Sequence, residues 1–146
     1  MHTVEVVDAV LVRIDPQSAE PIAAQICFAV KEAVARAKLR PGERLPSVRE
    51  LARELAVNPN TVVRAYDRLT QDGVLVRRQG AGCFVSERKA TLKDRERRRQ
   101  LDAALQRVVT DAFHLGLQAE DVRRAVERAL ADVQFPTDEK KARRSI

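Results

Sequence analysis

Apolar residues recur along most of this chain every three or four positions, the spacing of one helix face. Ile22, Ile26, Val30, Val34 and Ala37 form the first such stripe and predict a helix of roughly four turns. Pro21 falls in its first turn, where a missing N–H costs nothing, and Leu39-Arg40-Pro41-Gly42 stops it. Ser47 then precedes a second periodic run, Val48, Leu51, Ala52 and Leu55, with Glu50 three residues on. That is a capping box, in which hydroxyl and carboxylate each satisfy an orphan backbone N–H, and it predicts a short helix over 48–55. After a turn at Ala56-Val57, Asn58 caps a third helix with Pro59 at its first position. This helix runs to Asp72, where Gly73 supplies a left-handed end, and it turns Val62, Ala65, Tyr66 and Leu69 inward.

Elsewhere the pattern changes. Residues 3–14 are rich in Val and Ile and read as a short strand or extended arm, ended by Asp15-Pro16. Val74-Leu75-Val76 and Cys83-Phe84-Val85 are short β-prone runs. The intervening Arg77-Arg78-Gln79-Gly80-Ala81-Gly82 reads as a hairpin loop with glycines for positive φ. Residues 86–94 are polar and charged, as in a linker. Two further helical stripes follow: Leu101, Leu105, Val108, Ala112 and Leu115, then Val122, Val126, Ala129, Leu130 and Val133, with Gly116 between them and Phe135-Pro136 ending the pattern. The expected fold is mainly α with a small β-hairpin. A winged helix-turn-helix occupies 1–88, a two-helix dimerisation domain 89–135, and a disordered basic tail 136–146.

Composition narrows the function. Of 146 residues, 45% are hydrophobic but only 3% aromatic, so the core is aliphatic. Lys and Arg number 27 against 21 Asp and Glu, a net charge of +6 that suits an anionic partner. Residues 1–90 carry 14 basic and 11 acidic groups and residues 91–146 carry 13 and 10, so each part is +3 and bulk charge locates no site. No stretch reaches the ~20 apolar residues of a membrane span, and no apolar segment after Met1 marks a secretory signal. Two cysteines make neither a disulfide scaffold nor a zinc cluster, which fits a reduced cytoplasmic protein. Five glycines leave little room for a Gly-rich nucleotide loop, and no cofactor is expected.

Two short helices, a tight turn and a hairpin make a winged helix-turn-helix, whose second helix lies in the DNA major groove. Such a helix needs an apolar inner face and a polar outer one. Here the outer set is Asn58, Asn60, Thr61, Arg64, Asp67 and Arg68. Asn pairs with adenine, Arg with guanine, and Thr with a thymine methyl or a phosphate. The first residues enter deepest, which favours Asn58, Asn60 and Thr61 over Arg68 as base readers. A polar face on one helix alone is ordinarily just solvated; here it follows a capped helix and precedes a basic hairpin. Arg77 and Arg78 flank a glycine tip suited to a sugar-phosphate backbone or a minor groove.

Three segments resemble the signature of GntR-family transcriptional regulators: residues 39–52, LRPGERLPSVRELA; residues 57–62, VNPNTV; and Gly73-Val74-Leu75 with Gly80-Ala81-Gly82-Cys83-Phe84-Val85. The resemblance covers about residues 14–86 and implies a homodimer on an inverted repeat, with double-stranded DNA as partner. Carried over by position, the family's DNA contacts fall on Ser47, Arg49, Pro59, Asn60, Thr61, Val63 and Gly80. Pro59 and Val63 stand where some members have Arg, and neither hydrogen-bonds a base through its side chain. The Asn-Pro-Asn-Thr version and the short C-terminal part are similar to the YtrA subfamily; the resemblance implies regulation of transport-related operons, often its own, and the leading expectation is a dimeric repressor. Arg49 lies on the helix before the recognition helix. The resemblance gives it a guanine or phosphate, against a plain surface ion pair with a neighbouring Glu worth under ~1 kcal/mol.

Two helices with one apolar stripe each cannot close a sizeable core alone. Leu101, Leu105, Val108, Ala112, Leu115, Val122, Val126 and Leu130 are therefore expected at a dimer interface, whose symmetry matches a palindromic operator. No membrane contact is expected, and a small-molecule effector stays unidentified. The mixed run Lys93–Arg99 reads as a solvated helix face, and Lys140–Arg144 as a loose basic end adding salt-sensitive DNA affinity. Cys27 and Cys83 read as small hydrophobes rather than a redox pair. His114 suits a helix C-terminus, and His2 lies at the chain start. No nucleophile–base pair has a supporting motif, so no enzyme is expected. The competing reading is a winged-helix protein-interaction module without specific DNA binding.

Overall fold

The computed structural model describes residues 13–87 and 92–135. The arm up to residue 12, most of the linker core at 88–91, the tail from 136 and His2 lie outside the described residues. The rest forms two compact units that meet in sequence near residue 89.

In the first unit, α1 (Ile22–Ala35), α2 (Val48–Leu55) and α3 (Pro59–Gln71) precede β1 (Leu75–Arg78) and β2 (Gly82–Val85). Their boundaries follow from local chemistry. Ser47 Oγ accepts from the Glu50 N–H at 3.1 Å and Glu50 Oε2 accepts from the Ser47 N–H at 2.9 Å, completing the capping box of α2. Asn58 Oδ1 accepts from the Asn60 N–H at 2.9 Å, with Pro59 at the first position of α3. The α1 stripe ends sooner than predicted, because Ala37 is left-handed (φ 56°) and outside the helix. The N–H groups of Lys38 and Leu39 both donate to the Ala33 carbonyl there, and the reversal buries Leu39. Hydrophobic burial of Leu39 opposes the cost of a non-glycine residue with positive φ.

The core is aliphatic, as composition requires. Ile26 and Val30 of α1, Leu51 of α2, Val62, Ala65 and Leu69 of α3, and Leu75 and Val85 of the hairpin are all at most 2% exposed. Tyr66 is the aromatic exception; its hydroxyl donates to the Pro46 carbonyl at 2.8 Å. Burial pushes this phenol's pKa upward. The Cys27 thiol is also buried, donates to the Ala65 carbonyl, and has its pKa raised by the same desolvation.

The hairpin differs from the expected one. Its antiparallel register pairs Leu75 with Val85, Val76 with Phe84, Arg77 with Cys83 and Arg78 with Gly82. Both arginines are therefore strand residues, the loop shrinks to 79–81, and Val74 precedes the strand. Gly42 was expected only to help stop α1 and no element was expected at 43–45, yet these residues line the outer edge of β2. The Gly42 and Leu45 N–H groups donate to the Val85 and Cys83 carbonyls, and the Val85 N–H donates back to Glu43.

The second unit holds α4 (Asp94–His114) and α5 (Ala119–Ala131). Gly116, at φ 74°, turns the chain between them. Gln118 and Asp121 form a capping box on α5. Leu115 caps α4 rather than lying within it. Glu96 pairs with Arg99 at 2.8 Å along the exposed start of α4, and Asp94 pairs with Arg97, as expected of a solvated charge run. Among the stripe residues of this unit only Ala112 is buried.

The Tyr66 bond gives a direct test. Tyr66→Phe leaves the buried Pro46 carbonyl without its donor and is expected to cost about 1–2 kcal/mol in urea unfolding, with the cooperative transition retained.

Candidate nucleic-acid interface

The candidate surface is built on α3. Its four apolar residues face the core, so the opposite side carries Asn60, Val63 and Arg64 into solvent, with Thr61 at the margin. The turn that delivers it is tight: Ala56 is left-handed (φ 53°) and the Val57 N–H donates to the Ala52 carbonyl. Asn58 and Pro59 are exposed at the very start of the helix.

The sequence-predicted residues are not equivalent here. The Asn58 carboxamide oxygen is committed to the cap, so this residue offers only its amide hydrogens outward. Among the described residues nothing engages the Asn60 carboxamide, which presents both its halves outward, as bidentate pairing with adenine requires. Ser47 likewise spends its oxygen on the α2 cap. Arg49 is exposed in the first turn of α2. Its neighbour Glu50 is held in the capping box, and no ion pair among the described residues engages Arg49. Arg68 stands nine residues beyond Pro59, about 13 Å along the helix axis. It is exposed but does not join the N-terminal cluster.

On the wing, Gly80 occupies the tip with φ 74°, a conformation that L side chains rarely adopt. Arg77 and Arg78 point to opposite faces of the strand, as pleating requires. The Arg78 guanidinium lies 4.6 Å from the centre of the Phe84 ring, a cation–π contact on the outer face. Arg77 shares its face with Leu75 and reaches across to α3, where its guanidinium bonds Asp67. That carboxylate raises the Arg77 pKa further above its ordinary value.

Sequence reasoning passed over Arg44. This residue bridges to Phe84 along the edge of β2, and its Nε lies 3.2 Å from where a Cβ on Gly82 would stand. It is exposed and adds a cation to the outer face of the wing. The available signal was alternation within Glu43-Arg44-Leu45, where only Leu45 is apolar. Cys27 and Cys83 are free thiols. Among the described residues no cluster of three or more His, Cys, Asp or Glu is placed to hold a metal ion, and no helix is long and apolar enough to cross a membrane.

Residues 22–85 match the family described as bacterial regulatory proteins, gntR family. The HTH-type transcriptional repressor YtrA of Bacillus subtilis (strain 168) is 34% identical over 124 residues, spanning 85% of this chain and 95% of that protein. The likeness thus extends past the winged helix into the second unit. Among solved structures, the transcriptional antiterminator from Listeria monocytogenes EGD-e superposes with a TM-score of 0.73 at 29% identity, over 87% of this chain and 96% of that one. YtrA from Sulfolobus acidocaldarius, a GntR-family transcription factor, superposes with a TM-score of 0.58 at 33% identity, over 68% and 98%.

Ser47→Ala removes the hydroxyl that starts α2 and is expected to cost about 1 kcal/mol of stability by thermal or chemical unfolding. Ser47→Asp, which keeps a capping oxygen, is expected to restore most of it.

Proposed function

Because the chain belongs to the GntR family of bacterial regulatory proteins, we propose that it is a homodimeric repressor of an inverted-repeat operator. At the level the family establishes, it is a DNA-binding regulator of transcription built on a winged helix-turn-helix, and not an enzyme. The observation that carries the finer reading is the outer side of α3. Asn60, Thr61 and Arg64 stand on a face held outward by four buried residues on the other side, beside a wing carrying Arg78 and Gly80. In this reading Asn60 and Arg64 meet base edges, and Arg49 meets a guanine or a phosphate. Ser47, Asn58 and Pro59 bring the first turns of α2 and α3, the positive ends of the helix dipoles, to the phosphates. Arg68 meets the flanking backbone.

The second unit supports two copies acting together. Leu101, Leu105, Val108 and Leu130 are 40–59% exposed, and Val126 and Leu115 are also open. An apolar groove of about 460 Å³ lies along α4 and α5, lined by Val108, Ala112, Val122 and Val126 among others. A two-helix unit with this much exposed apolar surface is stabilised by covering it, and a second copy covers both at once. We further take the target to be a transport operon, as the YtrA likeness suggests, and the place of action to be the cytoplasm, where the free thiols of Cys27 and Cys83 stay reduced.

Selection on random duplex DNA is expected to recover a two-fold symmetric site whose affinity falls steeply with salt. Recovery of no sequence, with the fold intact, overturns the reading and favours a protein-interaction module. Arg49→Ala is expected to lower discrimination between selected and scrambled duplexes by about 1–3 kcal/mol if Arg49 reads guanine. Leu105→Glu places a charge in the proposed interface. Sedimentation equilibrium is expected to show a dimer for the parent chain and a monomer for this variant, which loses affinity for the symmetric site.

A further inference from the structure

Two adjacent arginines on the wing invite the assumption that both meet DNA. The structure separates them. Arg78 and Phe84 lie on the outer face of the hairpin, whereas Arg77 lies on the inner face with Cys83, two pairs along from the buried Leu75 and Val85. The Arg77 guanidinium is bonded to Asp67, an acidic residue on the recognition helix. Asp67 is three residues after Arg64, so it shares that flank of α3 and stands beside a side chain already assigned to the bases.

We propose that Asp67 is a positioning residue that clamps the first strand of the wing to the recognition helix and withholds Arg77 from phosphate, leaving Arg78, of the two adjacent arginines, to meet the DNA backbone. This rests on the DNA-binding reading above. Its physical basis is an exchange of anions. For Arg77 to leave Asp67 for a phosphate trades one ionic hydrogen bond for another, but it strands an uncompensated carboxylate facing a polyanion. While the pair stays closed, this seam of the interface is neutral, and the strand carrying Arg78 is tied to the helix that enters the groove. Arg78 has no carboxylate partner among the described residues; its guanidinium rests on an aromatic ring and is free to pair with phosphate.

Each phosphate neutralised adds about 0.9 to the slope of log affinity against log salt on a duplex, so the slope counts cations in use. The experiment measures that slope by fluorescence anisotropy for the full chain, on the selected duplex and on a scrambled duplex of equal length. Arg78→Ala is expected to flatten the slope by about 0.9 for each bound subunit, and Arg77→Ala to leave it unchanged. Asp67→Asn is expected to steepen it by about 0.9 per subunit, because Arg77 is released, and adding Arg77→Ala to Asp67→Asn is expected to cancel that gain. Asp67→Ser serves as a second variant at the same position, with thermal melts showing that each protein is folded.

The clamp is overturned if Arg77→Ala flattens the slope as much as Arg78→Ala does, or if neither Asp67 variant changes it. It is equally overturned if the double variant keeps the steeper slope, since Asp67 then acts by repulsion alone. Absence of binding by the parent chain to either duplex removes the DNA reading and this inference together; binding with a different slope pattern removes only the clamp.

Discussion

The rotation of one helix about its own axis governs everything this surface can do. Val62, Ala65, Tyr66 and Leu69 recur at helical spacing and are essentially without solvent contact, so α3 can settle in one orientation only. Turning it by one residue would bury Arg64 or Asp67 and expose Leu69. Burying an unpaired charge and exposing a leucine both oppose folding, and together they cost far more than any surface contact returns. Asn60 and Arg64 face outward because their neighbours are held inward, and no interaction of their own places them.

A second constraint ties the other parts of the interface to that helix. The Tyr66 hydroxyl grips the Pro46 carbonyl, one residue before the Ser47 cap of α2. Residue 45, immediately before Pro46, is hydrogen-bonded to β2 of the wing. The start of α2, the inner face of α3 and the root of the hairpin thus meet within a few residues of one another. Arg49, Asn60 and Arg78 come from three separate elements, and this buried junction sets the spacing between them. Preorganisation of this kind means that little conformational freedom remains to be lost when a rigid duplex is bound.

The two units handle apolar surface in opposite ways. The first gathers most of its aliphatic residues into one closed core. The second exposes most of its leucines and valines along both helices. Local order in the second unit comes from its capping box, its intrahelical ion pairs and the Gly116 turn, none of which needs a closed core. Its apolar stripes accordingly stay open, and the proposed association surface and the recognition helix fall in different stretches of the chain.

Much of this was legible in the sequence because it is local. A cap and its N–H lie three residues apart, a helix face repeats within one turn, and a left-handed glycine ends a helix where it stands. The limits of α2, the cap and first turn of α3, its buried face and the Gly116 turn therefore followed from residue order alone. What residue order left open depends on partners distant in the chain. Ala37 ends α1 because burying Leu39 outweighs the cost of its backbone conformation. The segment 42–45 pairs along the free edge of β2, through an isolated bridge at Arg44, because that strand, some forty residues later, offers it unpaired backbone groups. Arg77 and Arg78, identical in type and adjacent, part company because strand pleating aims them at different neighbours, Asp67 on one face and Phe84 on the other. Periodicity and capping are written into short stretches of sequence; which far-off group a side chain meets is decided only when the packed core brings those stretches together.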